Sequence, residues 1–189
     1  MLRVSAGQFT LSMGIDTPEW LLPTQIRASL NENWESGGLD PNHRYDFTLM
    51  VQAGTEPVLF LRHAGSRFNG WPLVLLVLKT GVLFVSSQEE IGTFDLNQRT
   101  PVERRKLPCP LIWRLDQHGT AVVVQSEMEL AVWDLNGKRI WETFADPPHK
   151  YSVDGNVLKL VDFRGTYTFD LLTGNRLSTD PTTTINSPE

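Results

Sequence analysis

The chain has 189 residues, of which 40% are hydrophobic and 21% charged, and its formal net charge is −5. This composition is typical of a globular protein that can bury a substantial core. The negative net charge argues against nucleic acid and anionic membranes as partners, because both attract clustered positive charge. The longest apolar run, 72–78, is far shorter than the roughly 20 residues of a membrane-spanning helix. Residues 1–5 do not have the apolar core of a signal peptide. We therefore expect a cytoplasmic protein that does not bind membranes.

Residues 1–70 are predicted to form an N-terminal antiparallel β segment. Four stretches alternate apolar and polar side chains, so each would bury one face and expose the other: 2–13, 24–31, 45–52 and 58–62. Residues 20–22 fit a single helical turn. The connection 32–44 contains two glycines and a proline, and its length suits either a functional loop or a disordered excursion.

The region 71–178 consists of three copies of one β unit, which we call repeats 1, 2 and 3. In each copy a glycine is followed 14 or 15 residues later by the aspartate of an aromatic-Asp-Leu triplet, and these aspartates are Asp95, Asp134 and Asp170. The resulting steps of 39 and 36 residues are typical of repeated antiparallel units. Each copy also contains four short strands separated by polar or glycine turns, which is the strand count of a propeller blade. The tail 179–189 is predicted to be flexible.

Three blades are too few to close a ring, since known propellers use about four to eight. We therefore predict an all-β fold in which the antiparallel N-terminal sheet packs on about three four-stranded propeller-like repeats, as a truncated propeller or a sandwich. If an edge stayed uncovered, the chain could form a homodimer through the opening. The second strands of repeats 1 and 2, 82–85 and 121–124, are apolar on both faces and should lie between two covering layers.

One turn of repeat 2 resembles the signature of PQQ-type β-propeller repeats, which reads approximately Ala-x-Asp-x-x-Thr-Gly-x-x-x-Trp. Ala131, Gly137 and Trp141 match in place, whereas the aspartate is displaced by one position and Asn136 replaces the threonine. Segment 169–174 is similar to the Trp-Asp-Leu-x-Thr-Gly ending of WD-type blades, and the whole layout looks like small uncharacterised bacterial proteins. The resemblance covers about residues 71–178 and implies blades without PQQ chemistry, because the chain is too short for the eight blades of quinoprotein dehydrogenases.

The sequence shows no recognisable catalytic or metal-binding constellation. Gly-x-Ser-x-Gly and the phosphate-binding glycine motifs are missing, and the four histidines are scattered singly. His118 and His149 are predicted to be surface residues. Because Asp95, Asp134 and Asp170 recur once per repeat, we interpret them as turn residues whose carboxylates accept backbone N–H groups. We expect no enzymatic activity, no metal and no cofactor.

Two groups of charged residues are predicted to be solvated. Glu127 and Glu129 fall in a hairpin turn, where acids are common. Arg104, Arg105 and Lys106 form a basic cluster on a predicted strand. A solvated strand face explains this cluster, and contact with a small anionic ligand or a partner is the alternative.

The six tryptophans are the remaining functional signal. Three lie on repeat strands and should pack between blades: Trp113, Trp133 and Trp141. Trp34 and Trp71 lie in or beside loops, where an aromatic side chain can anchor a binding surface. Together with Glu32 and Glu35, which flank Trp34, they are the predicted binding residues.

These features together predict a non-enzymatic protein-binding module. A compact acidic protein without catalytic residues suits an inhibitor or immunity-type role, because its charge would speed association with a basic protein partner. The alternative is a small-molecule or carbohydrate-binding β protein in which exposed tryptophans stack on the ligand. A long acidic patch with an exposed tryptophan would favour the first function, and a deep aromatic pocket would favour the second.

Overall fold

The structure is a computed structural model that describes residues 2–15, 35–36, 46–64, 72–86, 90–107 and 111–181. Every regular element in these ranges is a β-strand. Seventeen strands, β1 to β17, form one five-stranded sheet and three four-stranded sheets. The prediction of an all-β fold is therefore confirmed. No helix in these ranges is long and apolar enough to cross a membrane.

The N-terminal sheet has the strand order β1-β2-β4-β5-β3. Its strands are β1 (Leu2–Ala6), β2 (Phe9–Ile15), β3 (Glu35–Ser36), β4 (Asp46–Ala53) and β5 (Glu56–Ala64). The stretch 2–13, predicted as one strand, is a hairpin that turns at Gly7, whose φ of +61° is a conformation that glycine tolerates. All pairs are antiparallel except the short parallel pair of β3 with β5. The predicted strand 24–31 and helical turn 20–22 lie outside the described residues.

Each repeat forms one sheet in which strands adjacent in sequence are paired antiparallel. Repeat 1 contains β6 (Leu73–Val77), β7 (Val82–Ser86), β8 (Glu90–Asp95) and β9 (Thr100–Lys106). Repeat 2 contains β10 (Ile112–His118), β11 (Ala121–Ser126), β12 (Glu129–Asp134) and β13 (Arg139–Phe144). Repeat 3 contains β14 (Lys150–Asp154), β15 (Val157–Asp162), β16 (Gly165–Asp170) and β17 (Arg176–Pro181), so its last strand extends three residues past 178. This strand order is that of propeller blades.

The repeated aspartates have the structural role predicted for them. A carboxylate oxygen of Asp95, Asp134 and Asp170 accepts two backbone N–H groups of the following turn in each repeat, at 2.8–3.1 Å. The hydroxyl of Thr173 also donates to Asp170, and this bond is the main reason why the pKa of Asp170 lies below its usual value. Each aspartate therefore fixes the turn between the third and fourth strands of its sheet.

The four sheets are stacked in chain order around three apolar clusters. Leu49 of the N-terminal sheet packs in one cluster with Leu83 of repeat 1, so the predicted packing of that sheet on the repeats is confirmed. Between repeats 1 and 2, Phe84 meets Trp133 edge to face with ring centroids 6.1 Å apart. A third cluster, which includes Val123 of repeat 2, joins repeats 2 and 3.

The second strands of the repeats differ in burial. Every residue of β7 and β11 is buried, as their apolar sequences predicted. In β15, however, buried and exposed residues alternate, since Leu158 and Leu160 face repeat 2 while Val157 and Val161 are exposed. Repeats 1 and 2 are each covered on this face by the next sheet in the chain. The same face of repeat 3 is not covered by any described residue.

Candidate functional site at the last repeat

Equivalent positions in the repeats can be compared because their strand registers agree. In repeat 2, Val123 lies opposite Val132, two residues before Asp134. In repeat 3, Lys159 lies opposite Thr168, two residues before Asp170. Lys159 thus occupies the position of Val123, which is fully buried at the junction with repeat 3.

The exposed side of repeat 3 is one candidate surface, and we call it the outer face. Its residues on β15 are Val157, Lys159 and Val161, and their partners on β16 include Thr166 and Thr168. Val157 and Val161 are 40% and 41% exposed. The outer face is a mixed apolar and polar sheet surface, with Lys159 between the two valines of β15.

The junction between repeats 1 and 2 contains an ion-pair network. The guanidinium of Arg105 binds both carboxylate oxygens of Glu129 at 2.7 and 3.0 Å, and it lies 2.6 Å from the carboxylate of Glu142. Arg139 pairs with the same Glu142 and donates its backbone N–H to Glu103 at 3.1 Å. The network joins the outer strand of repeat 1 to the third and fourth strands of repeat 2.

This network corrects two sequence predictions. Glu129, expected in a solvated turn, is buried, and Arg105, expected on a solvated face, is mostly buried against it. The physical reason is that β9 borders repeat 2, so a charged side chain on that strand meets a charge of opposite sign on the next sheet. Arg104, one residue earlier, pairs with Glu90 within its own sheet instead.

The junction between repeats 2 and 3 contains a groove where the preceding junction has the ion-pair network. The groove has a volume of about 250 Å³, and its lining includes Thr143, Leu160, Tyr167, Phe169 and Arg176. The guanidinium carbon of Arg176 lies 4.6 Å from the centroid of the Tyr167 ring. Stacking of this kind holds the cation in place by electrostatic attraction to the ring face.

A buried histidine lies beside this junction, in the linker from β13 to β14. His149 is 3% exposed, and neither ring nitrogen has a hydrogen-bond partner. Gln125 donates to its backbone carbonyl at 3.0 Å, and the Trp113 ring stacks on the imidazole with centroids 5.5 Å apart. The prediction that His149 is a surface residue was therefore wrong. Packing of the linker against β10 and β11 buries it, and no local pattern indicated this.

Trp113 itself departs from its predicted role. It occupies a bulge, because Ile112 and Arg114 pair with successive residues of β11 and leave it without a partner in the ladder. A bulge re-aims the side chain that it carries. Trp113 is 42% exposed, whereas Trp133 is fully buried between sheets as predicted.

Acidic side chains hold the linker of His149 against the turn between β15 and β16. The carboxylate of Asp162 accepts the backbone N–H groups of Arg164 and Gly165 at 2.8 and 3.1 Å, and that of Asp146 at 3.5 Å. Arg164 in turn forms an ion pair with Asp146. Burial lowers the pKa of the His149 imidazole, and the carboxylates of Asp162 and Asp146 oppose this effect only in part.

A second polar cluster joins the first strands of repeats 2 and 3. The hydroxyl of Tyr151 donates to Asp116 at 2.6 Å, and the guanidinium of Arg114 lies over the Tyr151 ring at 5.4 Å. Burial, reinforced by Asp116, raises the pKa of Tyr151 far above its ordinary value, so the phenol stays neutral. His118 contacts the same ring and is only partly buried. This cluster fastens the two sheets together.

The described residues include only one of the four predicted binding residues. Glu32, Trp34 and Trp71 lie outside the described residues. Glu35 belongs to β3, where it pairs in parallel with Arg62 in the N-terminal sheet. Among the residues that the structure describes, no three His, Cys, Asp or Glu residues are grouped closely enough to hold a metal ion.

Comparison with known proteins identifies no family. No protein-family profile matches the chain, and no curated protein matches it. A computationally designed protein, Ika4, is 15% identical over 61% of this chain and 76% of its own, with a TM-score of 0.44. KlAtg21, solved in complex with the coiled coil of AgAtg16, is 12% identical over 76% of this chain and 54% of its own, with a TM-score of 0.47. The Cps50 (Swd1) β-propeller domain of Myceliophteria thermophila is 10% identical over 75% and 58%, with a TM-score of 0.41.

These likenesses carry no argument about function, because all three TM-scores are below 0.5. The chain spans 54% and 58% of the KlAtg21 and Cps50 chains. The description of the repeats as propeller-like rests on the four-stranded antiparallel sheets of this chain itself. Their assignment to the PQQ type and to a bacterial protein stays a prediction.

Proposed function

We propose that this chain is a non-enzymatic protein-binding module whose partner docks on the outer face of repeat 3. The proposal rests on the exposure of Val157, Lys159 and Val161 on β15. Phe84 and Val123 occupy the second strands of repeats 1 and 2 and are buried by the following sheet, whereas the equivalent surface around Lys159 is exposed. A partner that covers this surface would supply the layer that each earlier repeat obtains from its neighbour.

The chemistry of the outer face favours a protein partner over a small ligand. It is the exposed face of a sheet on which Lys159 and two threonines lie beside Val157 and Val161, whereas small-molecule sites are concave and mostly apolar. Lys159 lies at its centre and disfavours nonspecific association with apolar sheets of other molecules, because burying a cation without a partner is costly. A specific partner would place an acceptor opposite this lysine.

An inhibitor or immunity-type role in the cytoplasm is the more specific form of the proposal. The support for it is the net charge of −5, which would attract a basic partner over distances of about 10 Å at moderate salt. In this role the chain would act by occupying its partner's surface and would itself catalyse nothing.

The test compares two arginine substitutions at matched exposure. Val161 is 41% exposed on the outer face, and Ile140 is 39% exposed on β13. Proteins captured from native cells by the wild-type chain and by Ile140→Arg are identified, purified and titrated against all three chains by calorimetry. We expect Val161→Arg to weaken binding at least about tenfold, as a charge at the centre of an interface does. Equal affinity of Val161→Arg and Ile140→Arg would refute the assignment of the outer face.

Light scattering tests the other occupant of the outer face, a second copy of this chain. The proposal of a different protein partner expects a monomer at all concentrations. A wild-type dimer that Val161→Arg converts to a monomer would instead show that the outer face forms a homodimer.

A further inference from the structure

We propose that the groove between repeats 2 and 3 binds the carboxylate side chain of an acidic peptide segment, with Arg176 as its ion-pair partner. This site lies on the opposite side of repeat 3 from the outer face, and its argument does not depend on the proposed docking there. The molecule itself contains the template for such a contact, at the preceding junction.

The two junctions contain arginines at equivalent positions. Arg139 lies opposite Trp133 in repeat 2, and Arg176 lies opposite Phe169 in repeat 3, both after the same bulge in the ladder. The two arginines are therefore equivalent in register. Arg139 has a carboxylate partner, Glu142. For Arg176 no carboxylate partner exists among the residues that the structure describes, and its guanidinium is stacked on Tyr167.

The positions equivalent to Glu129 and Glu142 carry no glutamate in repeat 3. In repeat 2, Glu142 lies opposite Ala131, two residues before Trp133. The equivalent position of repeat 3, opposite Tyr167, is occupied by Thr179. The position of Glu129 is likewise taken by Gly165, at the end of the β16 ladder. Of the three network residues that repeat 2 supplies, repeat 3 therefore retains the equivalent of Arg139 but has no glutamate at the positions of Glu129 and Glu142.

The fourth strand of the preceding repeat, β9 at the first junction and β13 at the second, also differs in its charge. Arg105 of β9 lies opposite Ile91, and the equivalent residue of β13, opposite Leu130, is Thr143. Thr143 lines the groove together with Arg176. The open space of about 250 Å³ therefore lies where side chains fill the earlier junction, and it presents a cation where that junction pairs a cation with a carboxylate.

The remaining charges of the groove are already engaged. The carboxylate of Asp162 accepts three backbone N–H groups, and Arg164 pairs with Asp146. These bonds leave the negative charge of Asp162 in place, and Arg176 is the lining cation that has no carboxylate partner among the described residues. The base of the groove is apolar, with Leu160 and Phe169. The volume is below the roughly 300–1,000 Å³ of whole-ligand sites, so it suits one acidic side chain and an apolar neighbour better than a complete small molecule.

The binding test uses two capped peptides, Ac-Leu-Glu-Leu-NH2 and its neutral match Ac-Leu-Gln-Leu-NH2. Each is titrated into the ¹⁵N-labelled full chain, and the amide signals of Phe169 and Arg176 and the indole N–H signal of Trp141 are followed. Trp141 is a suitable reporter because its ring contacts that of Phe169, with centroids 5.4 Å apart. We expect saturable shifts with the glutamate peptide, with a dissociation constant of about 1 mM, and no saturable shift with the glutamine peptide.

Three variants locate the contact. Arg176→Gln should weaken binding of the glutamate peptide about tenfold, because hydrogen bonds to charged groups contribute more than neutral ones. Thr179→Glu places a carboxylate at the register position of Glu142, and it should abolish peptide binding while the thermal midpoint is unchanged or raised. Ser178→Glu is the matched control, because Ser178 is bonded to Thr168 on the outer face, and this variant should bind like the wild-type chain.

Several results would overturn the inference. These are equal binding of the two peptides, unaltered binding by Arg176→Gln, or wild-type affinity of Thr179→Glu. A wild-type dimer that Arg176→Gln dissociates would show that a second copy occupies the groove, which also contradicts a peptide ligand. None of these results bears on Val161→Arg, so failure here is separable from failure of the outer face.

Discussion

Repeats 2 and 3 have the same strand order, the same register and the same aspartate-capped turn, but they differ in what covers them. All of β11 is buried, whereas β15 is buried on one face and exposed on the other. The residue at the centre of the second strand follows this difference, since Val123 is buried and Lys159 is exposed. The comparison shows that the repeat fixes the backbone of a sheet, while its neighbours determine which side chains its two faces can carry.

The two junctions differ in the same way. Beside its apolar cluster, the junction between repeats 1 and 2 contains charged side chains that pair with one another around Arg105. The junction between repeats 2 and 3 has aromatic rings, a groove and Arg176. Equivalent register therefore does not produce equivalent chemistry, because each junction depends on the residues that two different sheets contribute.

The largest effect is expected from exchanging the central residues of the second strands. Val123→Lys should destabilise the chain by more than about 4 kcal/mol, because it places a cation without a partner in the core. Lys159→Val should change the free energy of unfolding by less than about 0.5 kcal/mol, since the residue is exposed. Urea unfolding followed by tryptophan fluorescence measures both. Comparable losses in the two variants would mean that repeat 3 is covered like repeat 2.

The ion-pair network provides the next prediction. Arg105→Ala should cost about 3 kcal/mol, because it leaves the buried carboxylate of Glu129 without its bidentate partner. Arg104→Ala, one residue away, should cost less than about 1 kcal/mol, since its pair with Glu90 is partly solvated. Thermal and urea unfolding of both variants check the difference. A loss for Arg105→Ala no larger than for Arg104→Ala would contradict the structural role of the network.

A smaller effect is expected at the turn glycines of repeat 3. A Cβ atom at Gly174 would lie 2.6 Å from Cγ of Trp141, whereas one at Gly155 would meet no atom within 4 Å. Both residues have positive φ, so Gly155→Ala should cost about 1 kcal/mol from backbone strain alone. Gly174→Ala should cost about 2 kcal/mol or more, because Trp141 must also move. Equal thermal midpoints of the two variants would show that Trp141 does not restrain the turn.

The smallest effect concerns pH and His149. Because burial lowers the pKa of the native imidazole below 6.5, the unfolded chain binds the proton first as the pH falls. The stability that depends on the neutral imidazole is therefore complete above pH 6.5 and decreases as the pH falls from 7 to 5. His149→Phe should remove this part of the pH dependence. Parallel stability curves for the two chains over that range would show that His149 does not titrate differently in the folded state.

Much of the fold followed from local patterns in the sequence. The spacing of Asp95, Asp134 and Asp170 located all three repeats, because the carboxylate of each accepts backbone N–H groups from the turn that directly follows it. Turns of this kind depend on a few adjacent residues, so their sequence pattern is sufficient. The break of the stretch 2–13 at Gly7 was missed, since the alternation of apolar residues continues through the hairpin.

The site was less predictable. Glu129 and His149 were expected at the surface, yet both are buried by elements distant in the sequence. Neither residue has a local signal of burial, because a glutamate in a turn and a histidine after prolines are usually solvated. The groove could not be found from repeat 3 alone, since two of its eight lining residues, Thr143 and Phe144, belong to β13 of repeat 2.

The sequence by itself determined the β character, the three repeats and the turns that end their third strands, because these depend on contacts between residues close in the chain. The order in which the sheets stack, the partner of Arg105 and the contact of Arg176 with Tyr167 were decided only by the tertiary structure. Their physical cause is that a charged or apolar side chain is stabilised by whatever the adjacent sheet places against it, and that neighbour is encoded elsewhere in the chain.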